Sequence, residues 1–375
     1  ALPGFTSLHP LMAQLRGAGH YTQGALQVIW KLEQQLCEIT GMKAFTLQPM
    51  AGANGEFTGV MLIAAYHRDK GNHKTKILIP DSAHGTNPAS ATLAGYEVVN
   101  IPTHNGIIDP EELESALDDG VAALMMTCPN TLGLFENNLP RIVEKLRRVD
   151  ALLYYDGANM NAIMGKMRVG DVGFDVVHLN LHKTFSTPHG GGGPGAGAVG
   201  CKAFLSEFLP HSATAEEAGH LQVRSFRGNF LVVVKALTYM MTLGKEGIPE
   251  AAQNAVLNAN YLMQALKGAY EPAYDRICMH EFVLDLSKLK KETGVTALDV
   301  AKSLIDEGIH PPTMYFPLIV HEALMLEPTE TEGPETLDHA ADVLKMLAQR
   351  AYDDPQAMHD APHHTVIGRP DEVKA

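Results

Sequence analysis

Apolar and polar residues along the chain alternate between short, fully apolar runs and longer runs with a helical period. Such apolar runs are typical of buried strands, and they lie at residues 44–47, 76–80, 96–101, 122–127, 152–155, 176–181 and 198–200. Helical patterns lie at residues 23–40, 88–94, 110–118 and 139–148, with a further helix ending near residue 66. This rhythm predicts a mainly parallel sheet covered by helices, which is an α/β architecture.

The pattern changes in the last third of the chain. Two long helices are predicted at residues 228–243 and 249–266, followed by strands at 281–286 and 323–327 and helices at 297–307 and 334–350. An apolar run at 315–320 lies between these elements, and the residues after about 353 are polar and show no period. We therefore expect an amino-terminal segment and helix (1–45), a large doubly wound domain (46–245), a smaller α+β domain (246–355) and a surface tail (356–375).

Two of the predicted strands deliver charged side chains at their carboxyl ends. Asp156 follows the strand at 152–155, and Lys183 follows the strand at 176–181. Ligands of parallel sheets bind beyond the carboxyl ends of the strands, so an acid and an amine would meet one ligand there. A pyridoxal phosphate enzyme needs this pair, because a lysine forms the Schiff base and an aspartate keeps the pyridinium nitrogen protonated. The alternative is a structural ion pair.

Small residues occur at two places where a phosphate would be held. Gly52 and Ala53 begin a predicted helix, whose free backbone N–H groups and dipole favour an anion. A glycine-rich run at residues 190–197 follows Lys183 and lets the backbone turn tightly and approach a ligand. Taken alone, either stretch is also typical of close packing.

Composition narrows the class of protein further. The 375 residues are 45% hydrophobic and 19% charged, which predicts a globular, soluble chain. The net charge of −14 argues against a nucleic-acid partner, since phosphate backbones are bound by clustered Lys and Arg. The longest apolar runs are too short to cross a bilayer, so we expect no membrane association.

The four cysteines and the first residues bear on the cellular compartment. Cys37, Cys128, Cys201 and Cys278 form neither CxxC pairs nor a zinc spacing, so we expect reduced cysteines and no metal site. The start, ALPGFTSLHP, lacks the basic and apolar regions of a signal peptide. These features predict a cytoplasmic protein, with the mitochondrial matrix as the location only for a eukaryotic fragment.

Several long stretches resemble one known family. They are LQPMAGANGEFTG, PDSAHGTNPASATLAGY, MTCPNTLGLFE, YYDGANMNAIMG, VGDVGFDVVHLNLHKTFSTPHGGGGPGAGAVG, MHEFV and HPPTMYFPLIVHEALMLEPTETE. In this order and over nearly the whole chain, they resemble glycine dehydrogenase (decarboxylating), the P-protein of the glycine cleavage system. The similarity is greatest to its pyridoxal phosphate-bearing second subunit, found where the enzyme is split in two. The resemblance implies a type I pyridoxal phosphate-dependent transferase fold.

The resemblance also implies roles for individual residues. Lys183 is the expected Schiff-base lysine, Asp156 the partner of the pyridinium nitrogen, and His84 the ring that stacks on the cofactor. The further cofactor-binding residues that it implies are Gly52, Ala53 and His182 at the phosphate, Asn130 at the phenolic oxygen, and Ala158 against the ring face. For His84 and His182 a structural role is the alternative. Arg224 and Arg227 are the candidate cations for the carboxylate of glycine, although a solvated surface position is favoured for either.

The activity implied is decarboxylation of glycine, with transfer of the aminomethyl group to the lipoyl arm of H-protein. Family members of this subunit type carry an amino-terminal Gly-Ser-Cys-Thr stretch that is not present here, and the single-chain form is about twice as long. We therefore expect a heterotetramer with subunit 1, or a homodimer. Two alternatives are another enzyme of the same fold, either an amino-acid decarboxylase or a cysteine desulfurase, and a non-catalytic partner subunit.

Overall fold

The computed structural model describes residues 19–189, 195–210, 223–224, 228–371 and 374. Contacts between residues divide the chain into two units. Unit 1 comprises the described residues of Ala1–Cys128 and Glu136–Glu250, and unit 2 comprises those of Pro129–Phe135 and Ala251–Ala375. Unit 2 therefore includes a short segment from the middle of the chain.

Unit 1 is built from alternating strands and helices. In order they are α1 (Gly19–Thr40), β1 (Ala44–Thr46), α2 (Gly52–Asp69), β2 (Lys76–Pro80), α3 (Thr86–Leu93), β3 (Glu97–Ile101), β4 (Thr103–His104), β5 (Ile107–Ile108), α4 (Pro110–Ala116), β6 (Val121–Thr127), α5 (Leu139–Arg148), β7 (Leu152–Gly157), β8 (Val176–Asn180), α6 (Leu181–Thr184), β9 (Gly197–Cys201) and a 3₁₀ helix (Ala203–Phe208). The short hairpin of β4 and β5 was not predicted.

A seven-stranded sheet forms the centre of unit 1, in the order β1-β9-β8-β7-β6-β2-β3. Strands β3, β2, β6, β7 and β8 are parallel, β9 runs antiparallel to β8, and β1 runs antiparallel to β9. The strand order reverses between β2 and β6, because β3 lies on one side of β2 and β6 on the other. The mainly parallel α/β sheet is thus confirmed.

Helix α2 packs on this sheet through an apolar face. Val60, Leu62 and Ile63 belong to one buried cluster with residues of the strands, among them Ile77 and Tyr154. At about 25 cal/mol per Å² of buried apolar area, such side chains contribute roughly 1.5–3 kcal/mol each. The packing fixes the start of α2 against the carboxyl-terminal edge of the sheet.

Predicted helix boundaries are confirmed where a capping residue or a glycine determines the helix end. Asp109 caps α4 by accepting a hydrogen bond from the Glu111 amide at 2.9 Å, with Pro110 at the first helical position. Gly41 ends α1 in the left-handed region, at φ 73°. The strand predicted at 176–181 ends one residue early, because Leu181 opens the one-turn helix α6.

Unit 2 follows on a long helix. Its elements are the end of α7 (Phe230–Leu266), β10 (Glu271–Pro272), β11 (Phe282–Asp285), α8 (Ser287–Thr293), α9 (Ala297–Asp306), β12 (Thr313–Met314), β13 (Ala323–Leu326), α10 (Pro334–Asp353) and α11 (Pro355–Asp360). The predicted division of α7 into two helices is confirmed, since Gly244 interrupts it with φ 62° and ψ −165°. The strands form an antiparallel sheet in the order β10-β11-β13-β12.

The segment Pro129–Phe135 packs closely against the rest of unit 2. The carbonyl of Gly133 accepts a hydrogen bond from the Met279 amide at 2.7 Å. Gly133 has φ +75°, and a Cβ there would lie 1.8 Å from the carbonyl oxygen of Glu281. Only glycine fits this position.

The carboxyl-terminal prediction was partly wrong. Residues 355–360 form α11, with Met358 fully buried, and Ala361 is buried as well. Arg369 donates to Asp299 at 2.8 Å, which ties the following residues to α9. The apolar run at 315–320 forms no helix or strand. None of the helices in the described ranges is long and apolar enough to span a membrane.

Candidate active site

The carboxyl-terminal edge of the unit 1 sheet brings together the two charged residues that the sequence singled out. Asp156 is the fifth residue of β7, and Lys183 lies in α6, directly after the neighbouring strand β8. Both side chains act electrostatically on the same two groups, Glu56 and His178. Lys183 is exposed, whereas Asp156 is 2% exposed. A ligand at this edge therefore meets an accessible amine beside a buried carboxylate.

Two hydrogen-bond donors and a histidine ring surround the Asp156 carboxylate. Asn87 of α3 donates to Oδ2 at 3.0 Å, and the Ala158 amide donates to Oδ1 at 3.0 Å. The Nε2 atom of His178 lies 3.4 Å from Oδ1, in the register of β7 against β8. These contacts hold the carboxylate in one orientation, because each oxygen has a partner on a different element.

His178 and Tyr154 form a second layer beneath Asp156. The Tyr154 hydroxyl lies 2.6 Å from His178 Nδ1, and both side chains are fully buried. Burial lowers the pKa of His178, although Asp156 opposes this, so the ring is neutral at neutral pH. Burial raises the pKa of Tyr154, so its hydroxyl keeps its proton. The other ring nitrogen of His178, Nε2, lies on the Asp156 side.

His84 lies in the turn between β2 and α3 and is exposed. Its Nδ1 accepts a hydrogen bond from the Thr86 amide at 3.2 Å and lies 2.7 Å from the Thr86 hydroxyl. The ring is therefore fixed at one nitrogen by the first residue of α3. The same helix carries Asn87, which holds Asp156.

The amino terminus of α2 offers free backbone donors at the same edge. The residue before the helix is Ala51, which has no polar side chain to cap it, and Gly52 and Ala53 are the first helical residues. A Cβ at Gly52 would lie 2.8 Å from the side chain of Asn180, the last residue of β8. Asn180 Oδ1 is buried and has no hydrogen-bond partner among the described residues. Close approach and free N–H groups are what an anion site requires.

His182 is held by the chain that returns into β9. The amide of Ala196 donates to His182 Nδ1 at 3.3 Å, and the His189 ring stands edge-on at 4.2 Å. Burial, His189 and Lys183 lower the pKa of His182 to about 4. The ring is thus neutral at neutral pH and offers a phosphate a hydrogen bond instead of a charge.

The glycine-rich run is described only at its end. Gly195 and Gly197 approach other groups closely: a Cβ would lie 3.0 Å from His182 Nδ1 at Gly195, and 2.7 Å from the carbonyl oxygen of Ala51 at Gly197. Residues 190–194 lie outside the described residues. The return strand therefore passes close to both His182 and the start of α2.

Three other predicted residues, Ala158, Asn130 and Arg227, differ in where they lie. Ala158 is half-buried beside Asp156. Asn130 belongs to unit 2, where its Oδ1 accepts from the amides of Leu132 and Leu134 at 3.0 and 3.2 Å. Its predicted contact with the cofactor stays a prediction. Arg227 lies outside the described residues.

Arg224 and the cysteines complete the set of predicted residues. Burial lowers the pKa of Arg224. The cysteines are free, and burial raises the thiol pKa of Cys37 to about 11 and those of the other three to about 12. They are therefore protonated and poorly nucleophilic, which disfavours a desulfurase. Within the described ranges no group of three His, Cys, Asp or Glu could hold a metal ion.

Five side chains at this edge were missed by sequence reasoning: Glu56, Asn87, Tyr154, His178 and Asn180. The one available signal was His178, a titratable residue inside the apolar run 176–181 and next to the strand that carries Asp156. Asn87 and Glu56 lie in quoted stretches, but their contacts depend on which helix faces meet.

Comparison with known proteins identifies the family. A model described as glycine dehydrogenase, C-terminal domain, matches residues 251–366, and one described as aminotransferase class-V matches residues 16–217. A protein of Treponema denticola named probable glycine dehydrogenase (decarboxylating) subunit 2 is 56% identical over all of this chain and 79% of its own length. The chain belongs to the glycine dehydrogenase (decarboxylating) subunit 2 family. A Thermococcus onnurineus protein of the same name is 53% identical over all of the chain and 77% of its own length.

Solved structures agree with the fold of this glycine dehydrogenase family member. A glycine decarboxylase (P-protein) of the glycine cleavage system, in inhibitor-bound form, matches with a TM-score of 0.72 at 20% identity, covering 88% of this chain and 77% of that one. An aspartate aminotransferase of Thermus thermophilus matches with a TM-score of 0.67 at 15% identity, covering 93% and 98%. The type I pyridoxal phosphate fold is thus confirmed, and fold and family support pyridoxal phosphate as the cofactor.

Proposed function

We propose that the chain is the pyridoxal phosphate-bearing subunit of a glycine dehydrogenase that decarboxylates glycine and transfers the aminomethyl group to the lipoyl arm of H-protein. The proposal depends most on one observation, the buried Asp156 carboxylate beside the exposed Lys183 amine at one sheet edge. Among the described residues the carboxylate has hydrogen-bond donors but no Lys or Arg as an ion-pair partner. A buried carboxylate without a cation costs several kcal/mol, and a cationic ligand group that it stabilises explains its presence best.

The residues at this edge fit pyridoxal phosphate. Lys183 would hold the cofactor covalently, Asp156 would keep a proton on its pyridine nitrogen, and the exposed His84 ring would lie against its face. The bound cofactor supplies an electron sink for the electrons released when glycine loses CO2. The protein contributes position and electrostatics.

The phosphate fits the start of α2. Gly52 and Ala53 would present backbone N–H groups, and neutral His182 would add a hydrogen bond. Ala158 would leave room against the ring. Asn130 at the phenolic oxygen rests on the family resemblance alone.

Neutral His178 would help to orient Asp156. Its Nε2 lies 3.4 Å from Oδ1, and the Tyr154 hydroxyl contacts Nδ1 from the other side. Asn87 holds Oδ2. A carboxylate held in one orientation is the partner that a protonated pyridine nitrogen requires.

Partners follow from the family. Glycine is the substrate, the subunit 2 name of the relatives implies a subunit 1, and lipoylated H-protein is the acceptor of the aminomethyl group. We infer a heterotetramer with subunit 1, with a homodimer as the alternative. Arg224 is the described candidate for the glycine carboxylate. A cytoplasmic location stays a prediction.

A test compares Lys183→Ala with Lys166→Ala, a second exposed lysine of unit 1. With pyridoxal phosphate added, the parent and Lys166→Ala should show the visible absorbance band of lysine-bound cofactor, and Lys183→Ala should not. With subunit 1 and lipoylated H-protein, the same two proteins should exchange the glycine carboxyl carbon with bicarbonate. A band that survives in Lys183→Ala refutes the assignment.

A further inference from the structure

Unit 1 contains a cavity that the proposed function does not use. It has a volume of about 550 Å³ and lies between the last turns of α1, the loop 165–171 and the middle of α7. Sites for small molecules are typically clefts of about 300–1,000 Å³, lined mainly by apolar side chains with a few polar groups. The walls and charges of this cavity indicate which class of molecule would fit.

The cavity lies away from the sheet edge that holds the proposed active site. Strand β1 begins at the edge where β8 begins, because Ala44 and Val176 both pair with Cys201. The loop wall of the cavity is bonded to the end of α1, just before β1, by the Gly170 amide, which donates to the Thr40 carbonyl at 2.7 Å. A molecule bound here would therefore be a second ligand and not the substrate.

Two glycines bring the walls of the cavity close together. Gly165 of the loop has φ +73°, and a Cβ there would lie 3.1 Å from the side chain of Ile248 on α7. Gly41, at the end of α1, also has φ +73°, and a Cβ there would lie 2.9 Å from the carboxylate of Asp171. Residues with side chains rarely adopt this conformation, so the loop lies as near to both helices as glycine allows. The cavity is thus preformed.

The break in α7 provides the space and part of an apolar wall. Gly244 lines the cavity with φ 62° and ψ −165°, and a Cβ built there would have no atom within 4 Å. Met240 and Ile248 line the cavity on either side of this break. Together with Ile39 of α1 and Met167 of the loop, they form a surface that suits an apolar chain or ring.

Lys245 is a cation at the cavity without an acidic partner. It follows the break in α7, is exposed, and forms no ion pair within the described ranges. The acids of the lining are Glu38 and Asp171, which both face Arg168, at 4.0 and 3.3 Å. The anionic group of a ligand could therefore pair with Lys245 without meeting an uncompensated acid.

We propose that this cavity binds an amphipathic carboxylate, a molecule with an apolar chain or ring and one carboxylate group. The apolar part would lie against Ile39, Met240 and Ile248, and the carboxylate would pair with the Lys245 ammonium. A small polar anion would leave the apolar wall uncovered, and an apolar cation would meet Lys245 with like charge. The inference does not depend on the proposed function, because none of these residues lies at the cofactor edge.

The first experiment measures the affinity of straight-chain carboxylates for the full chain by isothermal titration calorimetry. No cofactor is added, since an amine would react with its aldehyde. From hexanoate to octanoate the affinity should rise by about fourfold for each added CH2 that is buried. Octylamine should bind more weakly than octanoate, because Lys245 repels it. Affinities that do not depend on chain length, or equal affinities for octanoate and octylamine, would overturn the proposal.

The second experiment locates the bound octanoate with a pair of lysine variants. Lys245→Glu should weaken binding by roughly fivefold or more, because an attractive charge becomes a repulsive one. Lys235→Glu makes the same change at an exposed residue of α7 that does not line the cavity, and it should leave the affinity unchanged. Both positions are exposed, so the fold should tolerate either change. Equal effects of the two variants would overturn the proposal.

Hydrogen exchange of the parent provides a readout that needs no variant. With octanoate, peptides from 165–171 and 240–249 should exchange more slowly, because the ligand would cover both walls. Peptides from α5, which does not line the cavity, should be unchanged. Octanoate that binds without slowing exchange in either cavity segment would lie elsewhere on the protein, and the proposal would be wrong.

Discussion

Arg147 donates two hydrogen bonds to the carboxylate of Asp175, at 2.7 and 2.8 Å, and so joins the end of α5 to the start of β8. Asp175 is almost fully buried and also accepts the Leu153 amide of β7 at 2.8 Å. Burial raises the pKa of Asp175, and the Arg147 guanidinium opposes this. The strand that leads to Lys183 is thus anchored by one ion pair.

We predict that Arg147→Ala destabilises unit 1 by about 2–3 kcal/mol, because it leaves a buried carboxylate without its cation, although the Arg147 side chain itself is 41% exposed. Arg148→Ala is the matched control: this neighbour is 57% exposed and pairs with Glu114 and Glu144 on the surface. The free energy of unfolding of the control should fall by less than about 1 kcal/mol. Urea unfolding checks both, and similar losses for the two arginines would show that the pair at Asp175 has no special weight.

Asp156→Asn should lower glycine exchange by about 100-fold or more, since a neutral amide does not stabilise a protonated pyridine nitrogen. The fold should persist, because the Ala158 amide can still donate to the amide oxygen, and the Asn87 side chain can turn so that its own oxygen accepts from the new amide nitrogen. Asp171→Asn, at an exposed acid of the same unit, serves as the control. Turnover of Asp156→Asn equal to that of the parent would remove Asp156 from the site.

Two glycines one turn apart on α2 should respond in opposite ways to alanine. A Cβ at Gly59 would lie 2.4 Å from the Tyr154 ring, whereas a Cβ at Gly55 would meet His178 at 3.5 Å, an ordinary contact. Gly59→Ala should therefore cost roughly 1–3 kcal/mol. Gly55→Ala should be neutral or stabilise by up to about 1 kcal/mol through helix propensity. Thermal and urea unfolding measure both variants.

The pH dependence of stability should change in Glu56→Gln. The folded parent retains a proton on Glu56 up to about pH 7, whereas the unfolded chain releases it near the ordinary value of 4.5. The folded state binds more protons in this window, so its free energy of unfolding falls as the pH rises from 4.5 to about 7.

Glutamine does not titrate, so the variant does not lose this stability. As the pH rises from 4.5 to about 7, its free energy of unfolding should increase relative to that of the parent by on the order of 1–3 kcal/mol. Urea titrations at about pH 5 and about pH 8 provide the measurement. Glu144→Gln, at an exposed glutamate, should leave the difference near zero. If the difference in free energy of unfolding between Glu56→Gln and the parent were the same at both pH values, Glu56 would titrate normally.

Much of unit 1 could be predicted because its strands are buried on both faces. Runs such as 76–80 and 152–155 have no polar face to confuse with a helix, and their order gives a parallel sheet. The position of Asp156 and Lys183 at one edge of the sheet could be predicted, since parallel strands end at the same edge, and their roles stay predictions. The buried α11 was not predicted, because Met358 is a single apolar residue in a polar stretch.

The residues that support the site could not be predicted in the same way. His178 meets Asp156 through the register of two strands, and Glu56 meets Ser90 across 34 residues and two helix faces. Neither contact produces a recognisable pattern in the local sequence. The sequence indicated these residues only through their types, since a histidine lies in an apolar run and an acid lies in a stretch of small residues.

The pairing of β1 with β9 has a consequence for how the chain folds. Ala44 pairs with Cys201 and Thr46 with Val199, so the first strand is completed by one that follows about 150 residues later. During synthesis, β8 keeps an unpaired edge until β9 has left the ribosome, and the turn that carries Lys183 forms beside that open edge. Closure of the sheet is thus a late, non-local event. Shortened nascent chains that stop before residue 197 should be the ones that aggregate or bind chaperones.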